Sequence, residues 1–385
     1  MKKEATFTSQ YKGNSICNIL PTIAKFNGIK TLDGIKRYEL STNKRKNLLG
    51  ALEKSDRIVF LQIDALGYDL FSRVRKNFDF LKNSVKISSV FPTYTHTALA
   101  SFVTGTSPSK HGIVAGTFLK DGIVDWIGNL SKIKSHSKNL FTCESLLSDF
   151  EKQGKRIISI LYDVNDDYYS RYLYPNPVFV SSNSSADSLI KQAYEVEERV
   201  FDKILELSSQ NFYILTAYFW FLDGISGKYG KFNKNTLNYL NFFFKKVGYL
   251  ITTLPHNTLF IIIGDHGHTE LKKTVVIRQE DIDKINHHCN SKFALDGRLM
   301  MFYSANPDLV RKMFSKKIGN NVEEVSRKDY VHFLGGGCKA KDRIGDLIYL
   351  AKSHCTVRVK FKKKKATHGG LSKEETETVL GFFMS

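Results

Sequence analysis

The sequence contains few cysteines, and they lie far apart. The five, which form no C-x-x-C pair, are Cys17, Cys143, Cys289, Cys338 and Cys355. An odd number of scattered thiols argues against a disulfide framework and against a cysteine zinc site, and it favours a reducing compartment. No apolar run reaches the ~20 residues that a membrane-spanning helix needs, and residues 1–5 lead into polar sequence rather than a signal-peptide core. These absences predict a soluble, cytoplasmic protein without membrane association.

Acidic residues are also scarce relative to basic ones. Asp and Glu number 38 against 57 Lys and Arg, which gives a formal net charge of +19. A positive field favours anionic partners, such as nucleic acid, nucleotides or an acidic surface. The charge is dispersed except at Lys362–Lys365, and the abundance of Lys, Asn, Ile and Phe also fits an AT-rich genome. The charge therefore has either a functional or a merely compositional origin.

Apolar runs of strand length alternate with longer segments of helical period. The strand candidates are Ile58–Ile63, Val85–Val90, Arg156–Tyr162, Phe212–Phe219 and Thr258–Ile263, and the helix candidates are residues 69–82, 96–104, 142–153, 186–208 and 233–253. Continuous apolar strands separated by helices are typical of parallel sheets that are covered on both faces. The pattern predicts an α/β fold with a doubly wound, mostly parallel sheet flanked by helices.

The chain divides into three predicted parts. Residues 51–272 and 361–385 form the core that carries the sheet, and residues 1–50 form an N-terminal extension. Residues 273–360 are less regular, with a short strand at Leu299–Tyr303, a helix at about 307–317 and the glycine run Gly335–Gly337. We interpret this stretch as a smaller inserted α+β subdomain.

Polar groups follow three of the predicted strands. Asp64 follows the first, Asp223 follows the strand at 212–219, and Asp265 with His266 follows the strand at 258–263. Ligand sites in such sheets lie at the carboxyl ends of the strands, so these groups are expected at one edge. Two of them have a simpler interpretation, since Asp64 could cap a helix and His266 could be structural.

Two further segments carry candidate groups. Residues 91–105 read FPTYTHTALASFVTG, in which a threonine-rich turn enters an apolar helix. A helix N-terminus favours phosphate and stabilises an alkoxide, so Thr93, Thr95 and Thr97 all qualify as nucleophiles, or one of them simply caps the helix. His368 lies in A-T-H-G-G, where it is either a ligand or a loop histidine without a role.

The order and spacing of these pieces resemble the type I phosphodiesterase/nucleotide pyrophosphatase branch of the alkaline phosphatase superfamily. The resemblance spans about residues 55–380, and its motifs are D-A-L-G at 64–67, F-P-T-Y-T at 91–95, V-T-G at 103–105, H-G-I at 111–113, D-G-I-S-G-K-Y-G at 223–230, G-D-H-G at 264–267 and T-H-G-G at 367–370. It implies an alkaline phosphatase-like core and hydrolysis of phosphate esters or diesters.

The resemblance also implies roles for individual residues. Thr95 is the nucleophile, and it shares the first of two metal ions with Asp64, Asp265 and His266. The second ion takes Asp223, His368 and a histidine four residues after Asp223. Zinc suits these mixed ligands, with manganese as an alternative. Two ions suit the chemistry because one activates the nucleophile and the other neutralises the leaving oxygen, after which water releases the phosphoryl-threonine.

The sequence departs from the family pattern at two positions. Position 227 is glycine where the pattern has histidine, which leaves the second metal site open to another ligand, to weak binding or to loss. Lys228 is close to the gap, but a protonated lysine is a poor ligand. Ala98 stands where eukaryotic nucleotide pyrophosphatases carry a phosphate-contacting asparagine.

The sequence as a whole predicts a metal-dependent phosphodiesterase or nucleotide pyrophosphatase-like hydrolase that acts on a phosphate ester or nucleotide-like small molecule. The alternatives are a degenerate relative that binds nucleotides or nucleic acid without hydrolysis, and a phosphomonoesterase or phosphomutase. A sulfatase is disfavoured because the nucleophile segment lacks a C/S-x-P-x-R pattern.

Overall fold

The computed structural model describes residues 11–132, 139–162, 168–360 and 363–385. Residues 1–10 of the predicted extension and Lys362 of the lysine run lie outside these ranges. The strands are β1 Arg57–Ile63, β2 Val85–Ser88, β3 Thr117–Lys120, β4 Ile123–Trp126, β5 Ile157–Tyr162, β6 Pro177–Val180, β7 Ile214–Phe219, β8 Thr258–Gly264, β9 Thr269–Glu270, β10 Lys273–Val276, β11 Lys292–Asp296, β12 Leu299–Tyr303, β13 Val322–Val325, β14 Leu347–Ala351, β15 Cys355–Arg358, β16 Ala366–Thr367 and β17 Glu377–Met384. The α-helices are α1 Ile19–Phe26, α2 Thr42–Leu52, α3 Tyr68–Val74, α4 Thr95–Thr104, α5 Pro108–His111, α6 Ile127–Leu130, α7 Leu146–Lys152, α8 Tyr168–Leu173, α9 Leu189–Ser208, α10 Phe221–Tyr229, α11 Lys234–Thr253, α12 Gln279–Cys289, α13 Pro307–Ile318, α14 Arg327–Phe333 and α15 Lys373–Thr376.

A seven-stranded sheet occupies the centre of the molecule, in the order β2-β17-β8-β1-β7-β5-β6. Strands β8, β1, β7, β5 and β6 run parallel to one another. Strand β17, which follows the inserted region in the chain, lies between β2 and β8 and is antiparallel to both. The predicted doubly wound, mostly parallel α/β fold is confirmed.

The central strands are buried on both faces, as their unbroken apolar character indicates. Ile58 and Phe60 of β1 pack with α1, α4 and α7, whereas Val59 and Leu61 pack with α3, α9 and α11 on the opposite face. This division follows from the alternation of side chains along a strand. Full burial of each such side chain contributes ~1.5–3 kcal/mol to stability.

One predicted helix is wrong in its length. The expected helix at 69–82 ends at Val74, and two 3₁₀ turns, Arg75–Asn77 and Asp79–Leu81, follow it. Phe78 between them has an extended backbone, with φ −138° and ψ 111°. Its ring lies 5.8 Å from that of Phe80 and 5.6 Å from that of Phe244, so tertiary packing overrides the helical period here.

Two other helices begin later than expected. The helix predicted from residue 142 begins at Leu146, after Ser145 with an extended backbone. The helix predicted from residue 186 begins at Leu189, where the hydroxyl of Ser188 accepts the amide hydrogen of Lys191. In both cases a serine stands at the N-cap position, for which its short polar side chain is suited.

The region between β8 and β17 contains a second sheet, in the order β11-β12-β14-β13. Its side chains Met300 and Phe302 pack with Ile282 and Phe314 of α12 and α13 in a separate apolar core. Residues Ile19 and Leu20 of α1, by contrast, pack in the core that covers one face of the central sheet. The domain boundaries given above stay a prediction. Within the described ranges, no helix has the length and apolar character that crossing a membrane requires.

Candidate active site

Three adjacent parallel strands direct acidic groups to one edge of the sheet. Asp64 follows β1, Asp265 follows β8, and Asp223 lies in the first turn of α10, which follows β7. Since β1 lies between β7 and β8, the carboxyl ends of these strands are neighbours. The structure therefore places these three predicted residues at one edge, as expected for a sheet of this kind.

The first cluster consists of Asp64, Asp265 and His266. Their potential ligand atoms all lie within 4.8 Å of one another, and all three residues are buried. The Nε2 atom of His266 lies 3.3 Å from Oδ1 of Asp64 and 3.4 Å from Oδ2 of Asp265. The other oxygen of Asp265 accepts the amide hydrogens of Ala65 and His266, which fixes the orientation of the carboxylate.

Thr95 adjoins this cluster. Its Oγ1 lies 3.1 Å from Nε2 of His266 and 3.5 Å from Oδ1 of Asp64. Thr95 is the first residue of α4, and the preceding Tyr94 has the extended backbone of an N-cap residue without a side-chain capping bond. The hydroxyl therefore lies at a helix N-terminus, where the backbone amides favour negative charge.

The two neighbouring threonines point elsewhere. Thr93 donates to the carbonyl of Gly370 and accepts the amide hydrogen of Gly369, so it holds the loop that carries His368. Thr97 is fully buried in α4. Of the three threonines considered from the sequence, only Thr95 contacts the cluster of carboxylates and imidazole.

A second cluster consists of Asp223, His268 and His368, again with potential ligand atoms within 4.8 Å. Oδ1 of Asp223 lies 2.7 Å from Nε2 of His268 and 3.4 Å from Nε2 of His368. The two clusters are contiguous, because the rings of His266 and His368 stack with their centroids 4.1 Å apart.

The hydrogen bonds of two of these histidines show which ring nitrogen is free to bind a cation. Nδ1 of His368 lies 2.9 Å from the carbonyl oxygen of Thr93, and Nδ1 of His266 lies 3.2 Å from that of Gly267. A carbonyl only accepts hydrogen bonds, so each Nδ1 carries the hydrogen. In a neutral ring, the lone pair of Nε2 then faces the carboxylates, as in histidines that bind metals.

The burial of these charges is costly unless a cation is present. Burial and the neighbouring Asp265 and Asp223 raise the pKa of Asp64 well above its usual value, and burial raises the pKa of Asp265 to about 7. Burial opposes ionisation of Asp223 too, but its contact with His268 holds its pKa below the usual value. Burial lowers the pKa of His368 to about 4, which keeps this ring neutral at physiological pH.

The donor set fits divalent metal ions. Oδ2 of Asp265 is buried without a hydrogen-bond partner and faces Nε2 of His266. Buried acceptors that converge in this way are stabilised by a cation, and mixed carboxylate and imidazole ligands suit zinc or manganese. Asp64, Asp265, His266 and Thr95 would hold one ion, and Asp223 and His368 would contribute to a second.

Two residues of the site were not predicted from the sequence. His268 directly follows the G-D-H-G motif at 264–267, and a second histidine two positions after His266 is a signal that the sequence offers. Tyr218 lies in the apolar strand β7 and gave none, yet its hydroxyl donates a 2.5 Å hydrogen bond to Oδ2 of Asp64. Burial and the nearby Asp64 raise the pKa of Tyr218 well above 10, so the phenol remains a donor.

Two glycines allow the loops of the site to approach each other. A Cβ atom on Gly67 would lie 2.9 Å from the Cα atom of Gly267, and one on Gly267 would lie 2.1 Å from the carbonyl oxygen of Glu374. The glycines of D-A-L-G and G-D-H-G are therefore required by close backbone packing beside the first cluster.

A cavity of about 460 Å³ opens onto both clusters. Aromatic side chains form much of its wall, and Lys364 contributes a positive charge. The lining residues with aromatic rings are Tyr94, His96, Trp126, Tyr162, Tyr169, Tyr174, Tyr218, Trp220 and His368. A pocket with flat apolar walls and polar groups at one end fits a small molecule with an aromatic ring and an anionic group.

The fold places the chain among the α/β proteins with a mostly parallel sheet flanked by helices. It superposes on murine ectonucleotide pyrophosphatase/phosphodiesterase 5, an inactive variant in complex with AMP, with a TM-score of 0.64 and 16% sequence identity over 84% of this chain and 87% of that one. Phosphonoacetate hydrolase from Sinorhizobium meliloti 1021, in complex with phosphonoformate, gives a TM-score of 0.63 and 14% identity over 85% and 90% of the two chains.

The sequence assigns the family within this class. A model of the family described as type I phosphodiesterase / nucleotide pyrophosphatase matches residues 58–372, and the chain belongs to this family. A curated relative, GPI ethanolamine phosphate transferase 2 of Aspergillus fumigatus, is 25% identical over 218 residues, which are 55% of this chain. The match spans about a quarter of that relative, 27% of its length.

Proposed function

We propose that the protein is a metal-dependent phosphoric ester hydrolase that uses Thr95 as its nucleophile. Membership of the family supports a phosphoester hydrolase-like function. The observation that carries the finer proposal is the position of the Thr95 hydroxyl, 3.1 Å from Nε2 of His266 and at the N-terminus of α4. A hydroxyl with only a structural role would not need to lie among buried carboxylates and imidazoles.

The residues of the chain divide the reaction into two displacements. Oγ1 of Thr95 releases its proton to solvent, attacks phosphorus and forms an O–P bond while the bond to the leaving oxygen breaks and that oxygen takes up a proton, which gives a phosphoryl-threonine. A water molecule then attacks the same phosphorus, breaks the bond to Oγ1 and returns a proton to the threonine. The divalent ions, when bound, supply positive charge that activates the nucleophile and neutralises the leaving group.

Other groups position the reactants. Tyr218 and the amide of Ala65 orient the carboxylates of Asp64 and Asp265. The amides at the start of α4 favour the charged phosphate oxygens. A buried, preorganised set of dipoles and charges of this kind stabilises the transition state more than water does, because it needs no reorganisation.

We propose a nucleotide-like phosphodiester as the substrate class. The aromatic wall of the cavity, which includes Trp126 and Tyr169, offers faces against which a flat base could stack. Lys364 at the same cavity would attract an anionic ester. The murine phosphodiesterase, which has a similar fold, binds AMP in its complex, and this is consistent with the proposed substrate class.

The test is hydrolysis of bis-p-nitrophenyl phosphate and p-nitrophenyl phosphate by metal-stripped protein, with Zn²⁺ or Mn²⁺ added back. We expect no turnover without metal and restored turnover with it, with a preference for the diester. Absence of cleavage with every metal, in protein whose circular dichroism shows a folded state, would favour a non-hydrolysing nucleotide binder. Restored turnover with a preference for the monoester would keep the hydrolase and change the substrate class.

A further inference from the structure

Position 227 lacks a side chain, and a side chain from another part of the chain occupies the space beside it. A Cβ atom on Gly227 would lie 3.9 Å from Cε1 of His268 and 3.8 Å from Nζ of Lys364. In α10, positions 223 and 227 are one helical turn apart and lie on the same face. A side chain at 227 would therefore extend toward Asp223 through the space that the His268 ring now fills.

We propose that His268 is the third protein ligand of the second metal site and replaces the histidine that the family pattern has at position 227. This inference rests on the metal-dependent function proposed above. Its first support is geometric, because Nε2 of His268 lies 2.7 Å from Oδ1 of Asp223. The ligand atoms of Asp223, His268 and His368 lie within 4.8 Å of one another, and the two imidazole planes are nearly parallel, at 10°.

The hydrogen bonds around His268 indicate which nitrogen is available. Nδ1 lies 2.8 Å from the hydroxyl oxygen of Ser226, and that hydroxyl donates its own hydrogen to the carbonyl of Leu222 at 2.7 Å. With its hydrogen committed, Ser226 can only accept from Nδ1. In a neutral ring the lone pair of Nε2 then faces the carboxylate of Asp223, and two acceptors at this distance repel each other unless a proton or a metal ion lies between them. A metal ion that binds both atoms takes the place of that proton.

Contacts outside the metal site also fix the position of His268. Its carbonyl oxygen accepts a 3.1 Å hydrogen bond from the ammonium group of Lys231, which is almost fully buried and also forms an ion pair with Asp69. The backbone of the loop and the ring of His268 are thus both held by hydrogen bonds. Such outer contacts orient metal ligands and are typical of functional metal sites.

The two lysines near the gap do not compete for this role. Nζ of Lys364 lies near position 227, but an ammonium group has only donors and cannot bind a cation. Nζ of Lys228 lies over the ring of its neighbour Tyr229, 5.2 Å from the centroid. An imidazole with a free lone pair is the group that fits the gap.

The test is to move the histidine between the two positions and to count bound metal. Full-length wild-type protein, His268→Ala and the double variant Gly227→His/His268→Ala are dialysed against Zn²⁺ or Co²⁺ at a series of buffered free concentrations, and metal per chain is measured by mass spectrometry. The space left by His268→Ala accommodates a ring at position 227, since a Cβ atom there makes only ordinary van der Waals contacts of 3.7 Å or more.

We expect two ions per wild-type chain, one per His268→Ala chain, and two again in the double variant. In Ser226→Ala, which removes only an outer contact, the metal affinity of the second site should fall ~10- to 100-fold. In His268→Ala the loss of affinity should be larger than that. The Co²⁺ absorption spectrum should change in parallel. The exposed His288 provides a control, because His288→Ala should bind as wild type does.

His268→Gln, which keeps a side chain of similar length, replaces His268→Ala if the latter does not fold. Two ions bound with wild-type affinity in either folded variant would overturn the inference, as would a wild-type chain that binds only one. Because the readout is metal content, a protein that binds two ions but hydrolyses no ester would contradict the proposed reaction and leave the assignment of His268 standing.

Discussion

The hydrogen bond from Tyr218 orients the carboxylate of Asp64, and its removal measures how much that orientation contributes to kcat/KM. The phenol donates to Oδ2 of Asp64 at 2.5 Å, and both groups are buried. Tyr218→Phe removes the hydroxyl and leaves the ring. Hydrogen bonds to charged groups contribute ~1.5–3 kcal/mol, and ~1.4 kcal/mol corresponds to about tenfold in rate. We therefore expect kcat/KM to fall about 10- to 100-fold, because Asp64 is no longer held toward Thr95 and His266.

The assay is hydrolysis of bis-p-nitrophenyl phosphate at saturating metal, with metal content measured on the same samples. Tyr330→Phe is a matched control, since this tyrosine is also fully buried and its hydroxyl donates a 2.7 Å hydrogen bond to the carbonyl of Val114, away from the cavity. That variant should lose ~1 kcal/mol of stability, the value of a neutral hydrogen bond, and keep wild-type activity. Unchanged kcat/KM in Tyr218→Phe would refute the reasoning.

Three further predictions concern metal, pH and charge. Removal of metal by a chelator should lower the unfolding free energy by ~4 kcal/mol for each bound ion, relative to protein with free metal at about 1,000 times its Kd. Asp64 and Asp265 are then buried without a cation, and calorimetry with and without Zn²⁺ measures the difference. Burial raises the pKa of Glu197 from 4.5 to about 8, so the folded state binds its proton more tightly and stability should fall as the pH rises from about 4.5 through about 8. Glu197→Gln should remove up to ~5 kcal/mol of this dependence in urea unfolding curves, and an identical pH profile would contradict the assignment. Lys364→Gln should raise KM for an anionic diester about tenfold at low salt and less at high salt, since the lysine lines the cavity; an unchanged KM would exclude such a contact.

The sheet and most of the candidate site were predictable because both depend on local patterns. Continuous apolar strands indicate burial on two faces, and the residues that follow parallel strands meet at one edge. Asp64, Asp265 and His266 follow β1 and β8 directly, so no knowledge of tertiary packing was needed to bring them together. Asp223, in the first turn after β7, follows from the same argument.

The parts that were missed depend on contacts between distant segments. Tyr218 has the same pattern as any aromatic core residue in a buried strand, and only its cross-strand position relative to β1 brings its hydroxyl to Asp64. The role that we propose for His268 depends on the absent side chain at Gly227, which lies in an earlier helix of the chain. The shortened helix after Val74 likewise reflects aromatic packing around Phe78, which the local helical period does not encode.

The central claim is that the hydroxyl of Thr95 performs the first displacement, and the most direct measurement is the turnover of Thr95→Val compared with Thr95→Ser. Valine preserves the shape of threonine without the hydroxyl, whereas serine preserves the hydroxyl, and metal content is measured in both. We expect Thr95→Ser to retain turnover and Thr95→Val to lose at least ~1,000-fold, with both metal sites still filled. Turnover of Thr95→Val close to that of the wild type, at full metal occupancy, would contradict the account.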